Sequence, residues 1–166
     1  EIVVPPTNSY ENGHGYNFEV PASEEIGMVD PIPLKEMGQF NHEAVCVDPK
    51  TGIVYQTEDR DDGLIYRFIP NTPGELVKGG KLQVLMIKDA DINSARNWRT
   101  DAAKFPINQP LAVEWIDLED VYDLKNDDLR RRGHAKGAAL FARGEGMWFG
   151  DNEFYFACTS GGVTKT

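Results

Sequence analysis

Cysteine is scarce in this sequence. Its 166 residues hold two, Cys46 and Cys158, and no Cys-x-x-Cys pair. Neither a structural zinc site nor a disulfide framework is therefore indicated, and the redox compartment is not legible from them. Both thiols are expected to be inert and packed. Basic residues are also few: 17 Lys and Arg stand against 27 Asp and Glu, for a net charge of −10. Nucleic acid is excluded as a partner, because phosphate binding along a backbone needs a positive face. No apolar run approaches the ~18 residues of a membrane span, and no signal peptide opens the chain. There is no Gly-x-Ser-x-Gly elbow, P-loop or His-Glu-x-x-His, so serine-based hydrolysis has no support. The chain starts at Glu1 rather than Met and stops at Thr166 without a terminal pattern, and it reads as an internal piece of a longer polypeptide.

What is abundant is turn chemistry. Sixteen Gly and ten Pro accompany 40 % hydrophobic and 27 % charged residues, a globular balance suited to many short strands. Residues 1–40 read as an extended lead-in. Strands are expected at 44–47, 53–57, 64–69 and 81–87, separated by the turns 48–52 and 60–63 and the loop 70–80. Residues 89–110 are irregular, 111–115 a strand, and 118–132 the best helix, acidic at its start and ending in Arg130-Arg131-Arg132-Gly133 in keeping with the helix dipole. Further strands follow at 138–142, 146–149 and 154–159. The expected fold is all-β: antiparallel four-stranded blades of a partial β-propeller with one short helical insertion, a first blade over about 38–90 and a second, incomplete one over about 110–162.

An internal repeat supports that architecture. Asn41-His42-Glu43-Ala44-Val45, a turn and Val54-Tyr55-Gln56-Thr57-Glu58-Asp59 can be laid over Arg143-Gly144-Glu145-Gly146-Met147, a turn and Phe154-Tyr155-Phe156-Ala157-Cys158-Thr159. Equivalent positions of successive blades face one channel, so Glu43 and Glu145 are candidates for one site.

The groups able to do chemistry are mostly carboxylates at strand ends and turns. Hard cations such as Ca²⁺ take six to eight oxygens, mostly from such positions, and bound cations would let an acidic protein accept an anionic substrate. Asp61, Asp62 and Asp151 read first as solvated turn residues. Glu43 and Glu145 abut apolar strands, where a free carboxylate is costly, so each is expected to have a metal or an Arg as partner. Arg143, two residues before Glu145, would share its face in a strand; it fits either a phosphate clamp or a structural Arg–Glu pair. Arg60 and Arg67 read as surface or structural groups, and His42 as a hydrogen-bonded core residue before a ligand.

Several phrases resemble one family. Phe-Glu-Val-Pro-Ala (18–22), Pro-Leu-Lys-Glu-Met-Gly-Gln-Phe-Asn-His-Glu-Ala-Val (33–45), Asp-Pro-Lys-Thr-Gly-Ile-Val-Tyr-Gln-Thr-Glu-Asp-Arg (48–60), Asp-Gly-Leu-Ile-Tyr-Arg-Phe-Ile-Pro (62–70), Arg-Gly-Glu-Gly (143–146) and Phe-Ala-Cys-Thr-Ser-Gly-Gly (156–162) are similar, in order, to the PhoX-type alkaline phosphatases. The resemblance implies a six-bladed propeller exported to the periplasm or beyond. It also implies phosphomonoester hydrolysis at a cluster of ferric and calcium ions, by an enzyme monomeric as a whole. By motif, Glu43 and Glu145 resemble metal ligands, Arg143 the phosphate-holding group with Glu145 beside it, and one acid among Glu58, Asp59 and Asp62 a calcium ligand. In that family a cysteine from an upstream segment bridges the irons, and neither Cys46 nor Cys158 stands in such a motif. This piece is therefore expected to hold part of the metal site and to be inactive alone. The rival expectations are a calcium-stabilised propeller binding module without activity and a lactonase-like propeller hydrolase using one calcium.

Overall fold

In the computed structural model, which describes residues 14–89, 91–101 and 105–164, the chain is built on one antiparallel meander. Strands β3 (His42–Val47), β4 (Val54–Glu58), β5 (Ile65–Pro70), β6 (Gly80–Ile87) and β7 (Val113–Asp117) pair in sequence order. A short pair, β1 (Phe18–Glu19) and β2 (Ile32–Pro33), precedes it, and a hairpin of β8 (Gly144–Gly150) and β9 (Glu153–Cys158) follows.

Period-two alternation divides the sheet's side chains between two cores. Leu64, Tyr66, Phe68, Val54, Leu82 and Val84 point to one face, where Met37, Phe40, Leu118, Val121 and Leu129 cover them. Ile65 and Ile87 point to the other, against Ala139, Phe141, Trp115 and Phe156. The β8–β9 hairpin thus lies across the second face, with β8 packed on β3 and β4.

The strands expected at 44–47, 53–57, 64–69 and 81–87 all form. The strand expected at 111–115 forms as β7, but it joins the first sheet as its fifth strand, from Gln83↔Asp117 to Ile87↔Val113. On that face Trp115 gains Tyr55 as an edge-on aromatic neighbour and the Arg67 guanidinium over its ring at 4.6 Å. The segment 138–142 is not a strand; it makes isolated bridges, Leu140 with Ser94 and Phe141 with Gly63. Within the described residues the sheets close neither a barrel nor a propeller.

The helix is shorter and later than its charge pattern suggests. It is α1, Leu129–Ala135. Asp120 and Asp123 take left-handed conformations, φ 50° and 52°, which interrupt any helix begun at 118. The chain still drives Leu118 and Val121 into the core, and Arg132 binds the carbonyls of Glu119 and Asp120. Gly133 lets α1 approach the sheet: a Cβ there would stand 2.7 Å from Cδ1 of Leu64, which precedes β5.

The internal repeat is visible in the pairing. In the first hairpin His42↔Glu58 is followed by a register shift to Val45↔Gln56, Cys46↔Tyr55 and Val47↔Val54. In the second, Gly144↔Cys158 is followed by the same shift to Met147↔Phe156, Trp148↔Tyr155 and Phe149↔Phe154. Glu43 and Glu145 occupy the same place inside the two irregularities. Such bulges re-aim side chains away from the regular alternation.

Candidate functional site

The bulge of the second hairpin carries a polar cluster. Arg143 precedes β8 with φ 53°, a left-handed backbone that a β-carbon disfavours. Its amide donates to the Arg60 carbonyl and its own carbonyl accepts from the Thr159 amide, so both neighbouring segments hold it there. The guanidinium then meets Asp59 twice, Nε on Oδ1 at 2.8 Å and Nη2 on Oδ2 at 3.1 Å. Nη2 also donates to Glu145 Oε1 at 3.2 Å, and Thr159 Oγ1 reaches the same oxygen at 3.2 Å. The Asp59 hydrogen bond is the main cause that raises the Arg143 pKa. Its side chain remains 44 % exposed, and Nη1 has no partner among the described residues. The Arg143–Glu145 pair read from the sequence does form, though through a left-handed residue ahead of the strand rather than through regular alternation.

Below the cluster, Thr57 ties the two bulges together. It accepts from the Ala44 amide at 3.0 Å and donates to the Glu145 carbonyl at 2.8 Å. Glu43, in the first bulge, is exposed. No hydrogen bond or ion pair joins it to a described residue. Glu43 lies on the edge strand β3 and is exposed, so burial does not by itself demand a partner for its carboxylate.

Glu58 and Asp62 belong elsewhere. Glu58 is fully buried; Oε2 accepts from Tyr66 Oη at 2.9 Å and the Leu64 amide at 3.1 Å, and Oε1 meets no partner among the described residues. Asp62 accepts from Arg130 Nε at 2.7 Å. Arg130 Nη1 in turn holds Asp127 Oδ1 at 2.7 Å, and Arg60 Nη2 lies 3.0 Å from Asp127 Oδ2. The acids 58–62 are therefore split: Asp59 faces Arg143, Glu58 turns into the core towards Tyr66, and Asp62, 43 % exposed, meets Arg130. His42 is a core group. Its ring lies on Phe40 at 3.7 Å, Nε2 bonds the Gly38 carbonyl, Nδ1 accepts from Asn17, and burial lowers it to about 4. Burial likewise raises the Cys158 thiol to about 11.

Burial raises Glu58 to about 8, against the nearby Arg130 charge. A raised folded value stabilises fully below the unfolded value of 4.5 and is lost as pH rises through 8. Relative to Glu58→Gln, the wild-type chain should lose up to about 1.4 kcal/mol per pH unit across that window. Urea midpoints of both proteins at several pH values measure this, and His42, present in both, cancels. Parallel profiles would contradict a neutral buried Glu58.

Among the described residues no three His, Cys, Asp or Glu side chains converge as a set able to hold a metal ion. Asp59 is taken up by Arg143 and Glu58 is sealed in the core, so the described carboxylates do not by themselves fit calcium or iron. Thr159 is the residue of this cluster that motif reasoning missed; the repeat, which aligns it with Asp59, held the signal.

No solved structure matches this chain. No helix among the described residues is long and apolar enough to cross a membrane. The apyrase apy-1 of Caenorhabditis elegans is 26 % identical over 88 residues, covering 51 % of this chain and 24 % of that protein. The shared stretch thus spans about a quarter of that relative's length. The family described as alkaline phosphatase PhoX matches residues 4–166, and the chain belongs to that family.

Proposed function

We propose that this chain forms part of the active site of an exported phosphomonoester hydrolase, with Arg143 as the group that holds the phosphate. The observation that carries the reading is Arg143 itself: a strained, half-exposed guanidinium, fixed on one edge by Asp59 and Glu145 and open at Nη1. Backbone strain of this kind persists where surrounding structure over-determines it, and it clusters at functional sites. A guanidinium held by two carboxylates is pre-oriented, so an incoming phosphoryl oxygen meets a donor that needs little rearrangement. Asp59 fixes the plane of the guanidinium, and Thr159 turns Glu145 towards it.

The reading carries calcium and ferric ions with it as partners of the whole enzyme, where such ions polarise a phosphoryl oxygen. Glu43, and Glu145 through Oε2, are the carboxylates with an oxygen to offer; the remaining ligands would come from outside the described residues. The substrate is a small phosphomonoester. Nucleoside di- and triphosphates belong in the same assay, because a similar protein is named an apyrase.

The test is hydrolysis of p-nitrophenyl phosphate by the full-length polypeptide, before and after exhaustive chelation and after calcium and iron are restored. Activity that disappears on chelation and returns with the metals is expected. Activity indifferent to chelation, or none in the fully metal-loaded protein, would overturn the proposal.

A further inference from the structure

Residues 93–101 read from the sequence as irregular, and apart from the Ser94↔Leu140 bridge they form no strand or helix. They are nevertheless shaped by a buried ion pair. Asp101 Oδ1 accepts from Arg96 Nη2 at 2.8 Å, with the two side chains 6 % and 16 % exposed. Asp101 Oδ2 accepts from the Trp98 amide at 2.9 Å and from Ser94 Oγ at 3.2 Å. The Arg96 guanidinium also lies over the Trp98 ring at 4.2 Å. A satisfied buried polar network rigidifies the segment that carries it, and here it fixes the indole of Trp98.

Trp98 is buried, and its Nε1 donates to the Ser160 carbonyl at 2.6 Å. Close by, the Gly162 amide donates to the Arg96 carbonyl at 2.7 Å. The turn held in this way, Thr159-Ser160-Gly161-Gly162, ends on a glycine at φ 89°. A glycine pair leaves the backbone many conformations, so outside contacts must fix it. The turn in its own right holds the Arg143 cluster. The Thr159 amide donates to the Arg143 carbonyl at 3.0 Å, and Thr159 Oγ1 reaches Glu145 Oε1 at 3.2 Å. Trp98 is thus linked, through Ser160 and Thr159, to the strained backbone of Arg143 and to the carboxylate that steadies its guanidinium.

We propose that Trp98 is a positioning residue for the Arg143–Glu145 cluster: its indole N–H sets the 159–162 turn, and the turn sets Arg143 and Glu145. The kinetic consequence rests on the reading of Arg143 as the phosphate-holding group; the structural one does not. A group that meets a phosphoryl oxygen must be held within about 0.5 Å of its productive place by residues that are themselves locked. The Arg96–Asp101 pair locks Trp98. Loss of the N–H takes this donor from the Ser160 carbonyl and frees the turn to shift, which costs rate without removing any group that touches substrate.

Two changes to the full-length polypeptide test this. One is Trp98→Phe. The other places 3-benzothienylalanine at position 98, which replaces the indole N–H by sulfur and keeps the ring, and it carries the test where Trp98→Phe does not fold. Amide hydrogen exchange at Arg143 and Thr159 is expected to quicken several-fold, while the amides of β5 keep their wild-type rates. Unchanged exchange at Arg143 and Thr159 overturns the proposal, and so does a speed-up shared by β5, which is general loosening. For p-nitrophenyl phosphate, kcat/KM should fall about tenfold, and the same change added to Arg143→Ala should cost nothing more. An equal loss in both backgrounds overturns the proposal, because Trp98 then acts other than through Arg143. Wild-type activity in Arg143→Ala would instead sink the phosphate reading, and the exchange rates alone then decide the role of Trp98.

Discussion

Arg143→Ala in the full-length polypeptide is expected to lower kcat/KM for a phosphomonoester by about 10²–10³-fold, the usual loss when one pre-organised donor to developing charge is removed. The unfolding midpoint should hardly move. Arg143, Asp59 and Glu145 are all partly exposed, at 44 %, 28 % and 26 %, so water can replace the lost contacts, and exposed ion pairs contribute little. Arg143→Lys should recover only part of the rate. An ammonium has no fork to meet Asp59 through one edge while offering the other to phosphate. Arg143→Gly separates geometry from chemistry. It relieves the left-handed strain at φ 53°, so it should unfold at a higher temperature than Arg143→Ala while being equally impaired. An Arg143→Ala protein of wild-type activity would reduce the cluster to a structural ion pair, which is the alternative the sequence leaves open.

The first four strands of the meander were legible because each combined an apolar alternation with Gly or Pro punctuation, and Val54–Glu58 and Ile65–Pro70 lie within a residue of their expected bounds; the apolar run 138–142 carries the same signal but forms only isolated bridges. The helix was misplaced because an acid-to-base gradient is compatible with more than one backbone. Leu118 and Val121 reach the core through turns at Asp120 and Asp123 as well as they would from a helical face. The hairpin repeat was readable to the residue, since the same offsets align every paired position of the two registers. Of the site, the sequence pointed to Arg143, Glu145 and Asp59 but also grouped Glu58 and Asp62 with them. Adjacent residues at a strand end part company in space: Glu58 turns inward to Tyr66, while Asp59 turns to Arg143. No local pattern could anticipate that Arg130 would collect Asp62, which stands 68 positions before it in the chain.

Arg130→Met is expected to be the most damaging substitution for stability, at about 3–5 kcal/mol. Arg130 and Asp127 are 6 % and 4 % exposed and paired at 2.7 Å. Removing the guanidinium takes from the buried Asp127 carboxylate its contact at 2.7 Å, while Arg60, at 3.0 Å, is itself 27 % exposed at the side chain. The Asp127 carbonyl loses its Arg130 donor as well, and Asp62 loses its contact at 2.7 Å. Loss of a buried counter-charge is what makes the effect large; the attraction within an intact pair is largely offset by its own desolvation. The double change Arg130→Met with Asp127→Leu should therefore recover much of the lost stability, because no charge is then stranded. Urea unfolding of the two single variants and the double variant measures this directly. A double variant as unstable as the sum of the singles would show that the network acts through shape rather than charge. The same cycle bears on the site, because Arg60 stands at the joint between them. Its side chain holds Asp127, and its carbonyl receives the Arg143 amide. Loss of Asp127 should thus loosen the backbone that fixes Arg143, and on the proposed reading the phosphatase activity of the full-length polypeptide should fall in Asp127→Leu even though Asp127 lies outside the Arg143 cluster.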